Sequence, residues 1–318
     1  MSNVLRRAAL VGTMTAISRV AGLAREMMMA HAVGTGLAKS AFDVAFRIPN
    51  LFRRLFGEGA LSAAFIPVYT ETREREGAES ANILAGRVAG LLIAFLSLIT
   101  ACGILLTLAI WHWLPLSPRW LAILPLLRIM LPYAPLICLA ALIMGILNSL
   151  KHFAMPALAP VFLNLVWIGV LAGVCPWLPD DPFIRIRAVA WGVVVAGIIQ
   201  VAAQLPALAR RGVRLKPIFQ WRNDPRIRRI LRLMTPMAIG AGLIQINVCI
   251  DGWLAMWSAT WGPSALEYAE RLVYLPLGLV GNAFGTVLLP TLATQAACRD
   301  HAGLCATLER ALRNITVI

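Results

Sequence analysis

The sequence predicts an all-α polytopic membrane protein with eight complete transmembrane helices and the start of a ninth. Three observations support this fold class. The chain is 59% apolar and 14% charged, whereas soluble proteins average about 45–50% apolar and about 25% charged residues. Apolar stretches of spanning length, about 20 residues, follow one another along the chain. Arginines inside these stretches recur at helical spacing, so they must face a shared interior, because an ionised side chain facing lipid costs about 3 kcal/mol.

The predicted spans are separated by short polar connections. They cover residues 5–31, 41–70, 82–111, 121–149, 156–178, 187–209, 231–258 and 266–292, and a ninth begins near residue 304. Arg19 interrupts the first apolar run and no cleavage site of small residues follows, which predicts a retained span and not a signal peptide. Pro49 should kink the second span, because proline removes a backbone donor.

Basic residues concentrate in alternate connections, which predicts a cytoplasmic N-terminus. The longest connection, between the sixth and seventh spans, is strongly basic from Arg210 to Arg232. The opposite connections hold only Lys39, Arg119, Arg185 and Arg187. We expect a six-helix N-terminal lobe over 1–212, a basic cytoplasmic linker over 213–230 and the start of a second lobe over 231–318. A weak match of AFIPVY to VLLPTL fits a parallel duplication across this linker.

Polar side chains form stripes on the first, second and eighth spans. These stripes comprise Ser18, Arg19, Arg25 and Glu26; then Asp43, Arg47, Asn50, Arg53, Arg54 and Glu58; and finally Glu267 and Arg271. Arginine suits phosphate, because its planar fork donates two parallel hydrogen bonds and stays charged. The stripes therefore predict a mainly positive cavity for an anionic ligand. The alternative is a structural role, in which neighbouring carboxylates neutralise the arginines through pairs such as Asp43–Arg47.

Composition and motifs argue against several other classes of function. A pI near 10.7 alone would suggest nucleic acid, but much of the charge lies at helix ends, so we expect no nucleic-acid partner. The sequence has no H-E-x-x-H, no phosphate-loop lysine and no G-x-S-x-G motif. We therefore predict a transporter and not an enzyme, with no ATP site on this chain. The six cysteines are scattered and suggest no disulfide framework.

Several segments carry a resemblance to a known family. TAISRVAGLAREMMMAHAVGTG, FRIPNLFRRLFGEGALSAAFIPVY and ERLVYLPLGLVGNAFGTVLLPTL resemble the MurJ (MviN) family of lipid II flippases, and the likeness runs through the whole chain. This family belongs to the multidrug/oligosaccharidyl-lipid/polysaccharide exporter superfamily. The resemblance implies a two-lobe exporter fold in the bacterial inner membrane. It also implies flipping of lipid II, the undecaprenyl-diphosphate-linked disaccharide pentapeptide, from the inner to the outer leaflet by alternating access.

The resemblance also implies which residues bind the substrate. The cavity positions of the family fall on Ser18, Arg19, Arg25, Asn50, Arg53, Arg54 and Arg271, with acidic neighbours at Glu26 and Glu58. The arginines would clamp the diphosphate. Asp251 matches a helix where some members bind sodium, so sodium or the membrane potential is the expected driving force, with no other cofactor. Ser40 and Tyr274 stand where the family often has acids, so we expect altered acid–base pairing.

Members of the family are longer than this chain, so we expect a truncated second lobe that inserts but lacks activity by itself. Three alternatives stay open. A related exporter of polysaccharide-lipids or drugs would, for cationic drugs, need a cavity rich in carboxylates. A membrane enzyme acting on polyprenyl phosphates would need clustered carboxylates or histidines. A non-transporting membrane fragment would move no substrate. The sequence does not predict the oligomeric state.

Overall fold

The structure is a computed structural model that describes residues 2–57 and 60–273, with a few isolated positions after residue 294. Within these residues the chain forms helices and their connections, and no strand is present. Contacts divide the chain into two compact units, Met1–Ser264 and Ala265–Ile318. In the second unit, residues 265–273 form a continuous helical segment.

The described part of the first unit contains nine long helices. They are α1 (Ser2–Val33), α2 (Leu37–Phe52), α3 (Ala60–Glu76), α4 (Ala78–Trp113), α5 (Pro118–Met130), α6 (Tyr133–Ser149), α7 (Ala154–Gly169), α8 (Pro182–Ala209) and α9 (Pro225–Ser258). A π-helical turn, Arg53–Gly57, continues α2, and a π-helical turn and a 3₁₀ turn extend α7 to Trp177. A further helix begins at residue 262 and runs into the second unit.

Four of the described helices are long and apolar enough to cross a membrane: α4, α7 with its extension, α8 and α9. Helices α5 and α6 also qualify if they form one span, although they are bent by 40° at a short break. An all-helical protein with four or five apolar spans is therefore confirmed. The predicted eight complete spans are not: α2 and α3 have 16 and 17 residues, and most of the eighth span lies outside the described residues.

Helices α8 and α9 begin with the same local sequence, an aspartate followed by proline. Asp181 accepts a hydrogen bond from the Phe183 amide at 2.8 Å, and Asp224 accepts one from the Arg226 amide at 2.9 Å. Proline suits the first helical position, because its missing N–H would have no partner there. The dipeptide thus fixes where both helices start.

The core packs around α2, which is largely buried and contacts α6 and α7 through aromatic side chains. The rings of Phe42 and Trp167 meet edge to face with centroids 5.4 Å apart, and Phe46 contacts Trp167 at 5.5 Å. On α8, Gly197 permits close packing against Tyr133, because a Cβ there would lie 2.8 Å from the tyrosine ring. These ring contacts join α7 to α2, the helix that carries Asn50 of the predicted site.

The segment 213–224 is extended and lies across α4. The Ile218 amide donates to the Gly86 carbonyl at 2.8 Å, and a Cβ on Gly90 would lie 2.7 Å from the Ile218 carbonyl carbon. Gly86 and Gly90 are one turn apart, so together they form the groove that accepts this backbone. The predicted linker 213–230 includes this segment and the first turns of α9, and the lobe boundary at residue 212 stays a prediction.

Candidate functional site

Arg25 is buried between α1 and α7 and is held by three neighbours. It donates to Asn164 Oδ1 at 3.0 Å, forms an ion pair with Glu26, and places Cζ 4.3 Å from the centre of the Trp167 ring. Asn164 and Trp167 are three residues apart on α7, so they present their side chains to the same face. This arrangement fixes the plane of the guanidinium, which is a requirement for bidentate recognition of phosphate.

Glu26 neutralises Arg25 where water is scarce. Both side chains are 8% exposed. A buried charge without a partner is costly, so the buried Arg25 guanidinium requires Glu26 as its counter-ion. The Nε of Arg25 is buried without a hydrogen-bond partner among the described residues. Arg25 therefore keeps a donor to offer an incoming anion.

Ser18 and Arg19 lie about two turns before Arg25 and Glu26 on α1. The Ser18 carbonyl accepts a hydrogen bond from Asn164 Nδ2 at 3.0 Å, so Asn164 joins two levels of this helix. Arg19 is exposed and makes no side-chain bond within the described part of the chain. Asn164 of α7 thus contacts the Ser18 backbone and the Arg25 side chain, while the Arg19 guanidinium stays exposed.

A second group of predicted residues surrounds the π-helical turn after α2. Arg53 donates through Nε to Asn50 Oδ1 at 2.7 Å. Arg54 is exposed and donates to Gln245 Oε1 on α9 at 3.2 Å. Pro49 lies one turn earlier, and the helix continues beyond it to Phe52 before widening. Glu58 lies outside the described residues.

Three contacts on α2 differ from the predicted pairing of Asp43 with Arg47. Asp43 forms its ion pair with the buried Lys39 at 2.5 Å, whereas Arg47 donates to the Val248 carbonyl of α9. Ser40 donates to Ser264 Oγ at 3.1 Å. The sequence had assigned Lys39 to a polar connection, but its side chain is only 2% exposed because Asp43 neutralises it one turn later. Ser40, one of the acid replacements, makes a neutral contact.

Arg271 and Asp251 complete the predicted site. Arg271 pairs with Glu267 at 3.1 Å within the second unit, and its convergence with Arg19, Arg25 and Arg53 stays a prediction. Asp251 is exposed on α9. No group of three or more His, Cys, Asp or Glu side chains suited to a metal ion occurs among the described residues. One exposed carboxylate is too few ligands for a sodium ion, so the sodium site at Asp251 stays a prediction.

Comparison with known proteins decides the family. A family model described as "Lipid II flippase MurJ" matches residues 29–318. The chain belongs to the lipid II flippase MurJ family. A probable lipid II flippase MurJ of Rhizobium tropici is 41% identical over 298 residues, covering 89% of this chain and 54% of the relative. A lipid II flippase MurJ of Burkholderia cenocepacia is 34% identical over 320 residues, covering 98% and 61%. The chain thus spans little more than half the length of these MurJ relatives.

Solved structures support the fold of the MurJ family. A lipid II flippase MurJ in an inward closed conformation superposes with a TM-score of 0.70 at 22% identity, covering 96% of this chain and 62% of the other. A multidrug resistance MATE family transporter of the MOP superfamily reaches a TM-score of 0.59 at 14% identity, covering 96% and 69%. At such low identities the likeness concerns the fold, and the substrate must be argued from the site.

Sequence reasoning identified Arg25 but missed most of its surroundings. Asn164 was not among the predicted site residues, yet it bonds to the Arg25 side chain and to the Ser18 carbonyl. Trp167 was not predicted, although its three-residue spacing from Asn164 on an apolar span was a usable signal. The partner role of Lys39 was also missed, and its spacing of four residues from Asp43 was a signal for an ion pair.

Proposed function

We propose that the protein to which this chain belongs flips lipid II from the inner to the outer leaflet by alternating access. The proposal rests above all on Arg25, a buried arginine with a fixed plane and an unused donor, within a chain of the MurJ family. A diphosphate presents planar sets of acceptor oxygens that match an arginine fork. The undecaprenyl tail would stay in the bilayer while the head group crosses.

Each residue of the proposed site has a distinct task. Glu26 is the counter-ion of Arg25 in the empty state, and the diphosphate takes over this role when it binds. Arg19 and Arg54 are exposed and make the first contacts with the anion, because they need little desolvation. Asn50 orients Arg53 by accepting from its Nε. Asn164 and Trp167 keep the Arg25 guanidinium in position throughout the exchange.

The location, topology and driving force in this proposal come from the resemblance to the MurJ family. The protein would lie in the bacterial inner membrane with a cytoplasmic N-terminus and eight complete spans within this chain, and Arg271 would join the same cavity. Sodium or the membrane potential would drive transport, and chemistry on the substrate is not part of the proposal. The basic residues around the 213–224 segment support this orientation.

Direct binding tests the assignment of the substrate. The purified chain in lipid nanodiscs is titrated with lipid II, with undecaprenyl diphosphate or undecaprenol as competitor. We expect the diphosphate to compete and the alcohol not to. Arg19→Lys should weaken lipid II binding about tenfold, because lysine keeps the charge but loses the bidentate contact.

Arg222→Lys is the matched control, because Arg222 is an exposed arginine outside the proposed site. Its substitution should leave lipid II binding unchanged. Competition by undecaprenol would show that the tail alone is recognised and would overturn the diphosphate clamp. Binding of cationic drugs in place of lipid II would instead favour a drug exporter of the same superfamily.

A further inference from the structure

A cavity of about 370 Å³ lies at the end of α8, remote in sequence from the arginines of α1 and α2. It is bounded by the connection between α6 and α7 on one side and by the last turns of α8 on the other. Its walls include His152 and Met155, then Ala203 and Pro206, and finally Arg210 and Arg211. Cationic and apolar groups therefore line one space.

Arg211 and His152 form the closed side of this cavity. Arg211 donates to the Leu150 carbonyl at 3.3 Å and contacts His152 Nδ1 at 3.3 Å. A guanidinium can only donate, so Nδ1 accepts and the neutral ring carries its proton on Nε2. This Nε2 is buried without a hydrogen-bond partner in the described part of the chain. An acceptor is therefore missing beside it.

Arg210 is the cation that remains available. Its side chain is exposed and forms no bond to the residues that the structure describes. Arg210 follows the last residue of α8, where a cation near the helix C-terminus is favourable but needs no fixed partner. A phosphate group in the cavity would supply both the acceptor missing at His152 and an anion for Arg210.

The apolar side of the cavity continues onto the outside of α8. Pro206 and Leu205 are exposed, and the same face carries the exposed Ile198 and Val195 towards the middle of the helix. α8 is one of the helices apolar enough to span the membrane, so this face contacts acyl chains. A ligand held by its phosphate at Arg210 would lay its chains along this surface.

We propose that the cavity between the α6–α7 connection and the end of α8 binds the phosphate headgroup of an anionic phospholipid. Basic pockets between spanning helices recognise such headgroups. The apolar surface along α8 favours a lipid over free phosphate, because only a lipid has acyl chains that can contact it. This site does not depend on lipid II binding at Arg25, and the two can be lost separately.

Lipid titration of the whole purified chain in neutral detergent tests this site. Unfolding temperature is recorded with phosphatidylglycerol and with phosphatidylcholine of the same acyl chains, and with glycerol phosphate as the headgroup alone. Phosphatidylglycerol should stabilise the protein, because it binds the folded state. Arg210→Gln should weaken its apparent affinity about tenfold. Ala203→Phe, which keeps every charge but fills the cavity, should weaken it as much.

Arg222→Gln removes an equal charge elsewhere and should leave phosphatidylglycerol binding unchanged. An equal loss in this variant would show diffuse electrostatic attraction and overturn the site. Equal stabilisation by phosphatidylcholine, or by glycerol phosphate at the same concentration, would overturn recognition of an anionic lipid. Retained binding in Ala203→Phe would place the headgroup outside the cavity. Lipid II binding measured in parallel separates this result from the proposed flippase function.

Discussion

The guanidinium of Arg47 occupies the space that a side chain at Gly252 would fill. A Cβ built on Gly252 would lie 2.7 Å from Arg47 Cζ, and the same guanidinium donates to the Val248 carbonyl one turn earlier on α9. Gly252 is buried while most of α9 is exposed. This contact therefore sets how closely α9 approaches α2.

Gly252→Ala should destabilise the folded chain despite the better helix propensity of alanine. The added methyl group would displace the Arg47 guanidinium from the Val248 carbonyl, and the lost hydrogen bond should cost about 1 kcal/mol. Thermal unfolding in detergent measures the loss. Gly240→Ala is the control on the same helix, because nothing lies within 4 Å of a Cβ there; it should be neutral or stabilising by up to about 1 kcal/mol. In an Arg47→Ala background the penalty at Gly252 should shrink, and an undiminished penalty would refute the contact.

Asp224→Asn should destabilise the start of α9. Asp224 binds Arg87 at 2.6 Å and Arg226 at 3.0 Å while capping the helix. Asparagine caps equally well but cannot pair with two arginines, so we expect a loss of about 2 kcal/mol. Asp181→Asn is the matched control, since Asp181 is the same Asp-Pro cap on α8 and should tolerate the change. Equal effects at both positions would contradict a special role for the ion pairs.

The ion pairs of Asp224 also make the stability of the folded chain depend on pH. Burial raises the pKa of Asp224, but hydrogen bonds from Arg226 and Arg87 outweigh it and hold the pKa at about 2, against its usual 3.8. Because the pKa of Asp224 is lower in the folded state, its ionisation raises the free energy of unfolding above pH 3.8. This contribution is lost as the pH falls from about 4 to about 2. In this window the unfolding temperature of the parent should approach that of Asp224→Asn. A constant difference between the two proteins would contradict the assignment.

Helical periodicity was sufficient to predict the helices, but not their interruptions. The apolar stretch 121–149 was predicted to form one span, whereas α5 ends at Met130 and α6 begins at Tyr133. Pro132 explains the break, because proline has no backbone N–H to donate to the carbonyl one turn earlier. The second span likewise divides at Arg53–Gly57 into α2, a π-helical turn and α3. Hydropathy is averaged over a window of spanning length, so it does not reveal a break of a few residues.

The candidate site was only partly predictable for a different reason. A helical stripe shows which side chains share a face, and the grouping of Ser18, Arg25 and Glu26 into one site stays a prediction. The stripe does not show which helix lies opposite. Arg25 and Asn164 are 139 residues apart, and their contact depends on α7 packing beside α1. The same limit applies to Arg54 and Gln245, which meet only because α9 packs against the π-helical turn.

Gly90→Ala should release the extended 213–224 segment from α4. The new Cβ would meet the Ile218 backbone, which cannot move aside as a flexible side chain would. Hydrogen exchange of the Ile218 amide should accelerate, since its bond to Gly86 is broken. Gly169→Ala is a suitable control, because no atom lies within 4 Å of its Cβ position. Unchanged exchange in Gly90→Ala would mean that the groove does not hold the segment.

Cysteine accessibility in intact cells tests the proposed orientation. In a background without the native cysteines, Arg222→Cys should resist an impermeant thiol reagent, because the basic 213–224 segment is predicted to be cytoplasmic. Pro115→Cys, in the exposed connection between α4 and α5, should react. Permeabilised cells provide the control, in which both positions should label. The reverse pattern in intact cells would invert the topology.

Glu26→Gln tests whether the diphosphate displaces Glu26 from Arg25. Without ligand the variant leaves the buried Arg25 charge unneutralised, so its unfolding free energy should fall by about 3 kcal/mol. Lipid II should then stabilise the variant more than the parent, because its diphosphate supplies the missing counter-ion without having to displace a carboxylate. Thermal unfolding with and without lipid II measures both effects. Glu79→Gln, which removes an exposed carboxylate on α4, should change neither. An equal stabilisation of parent and Glu26→Gln by lipid II would place the diphosphate away from Arg25, even if lipid II still bound.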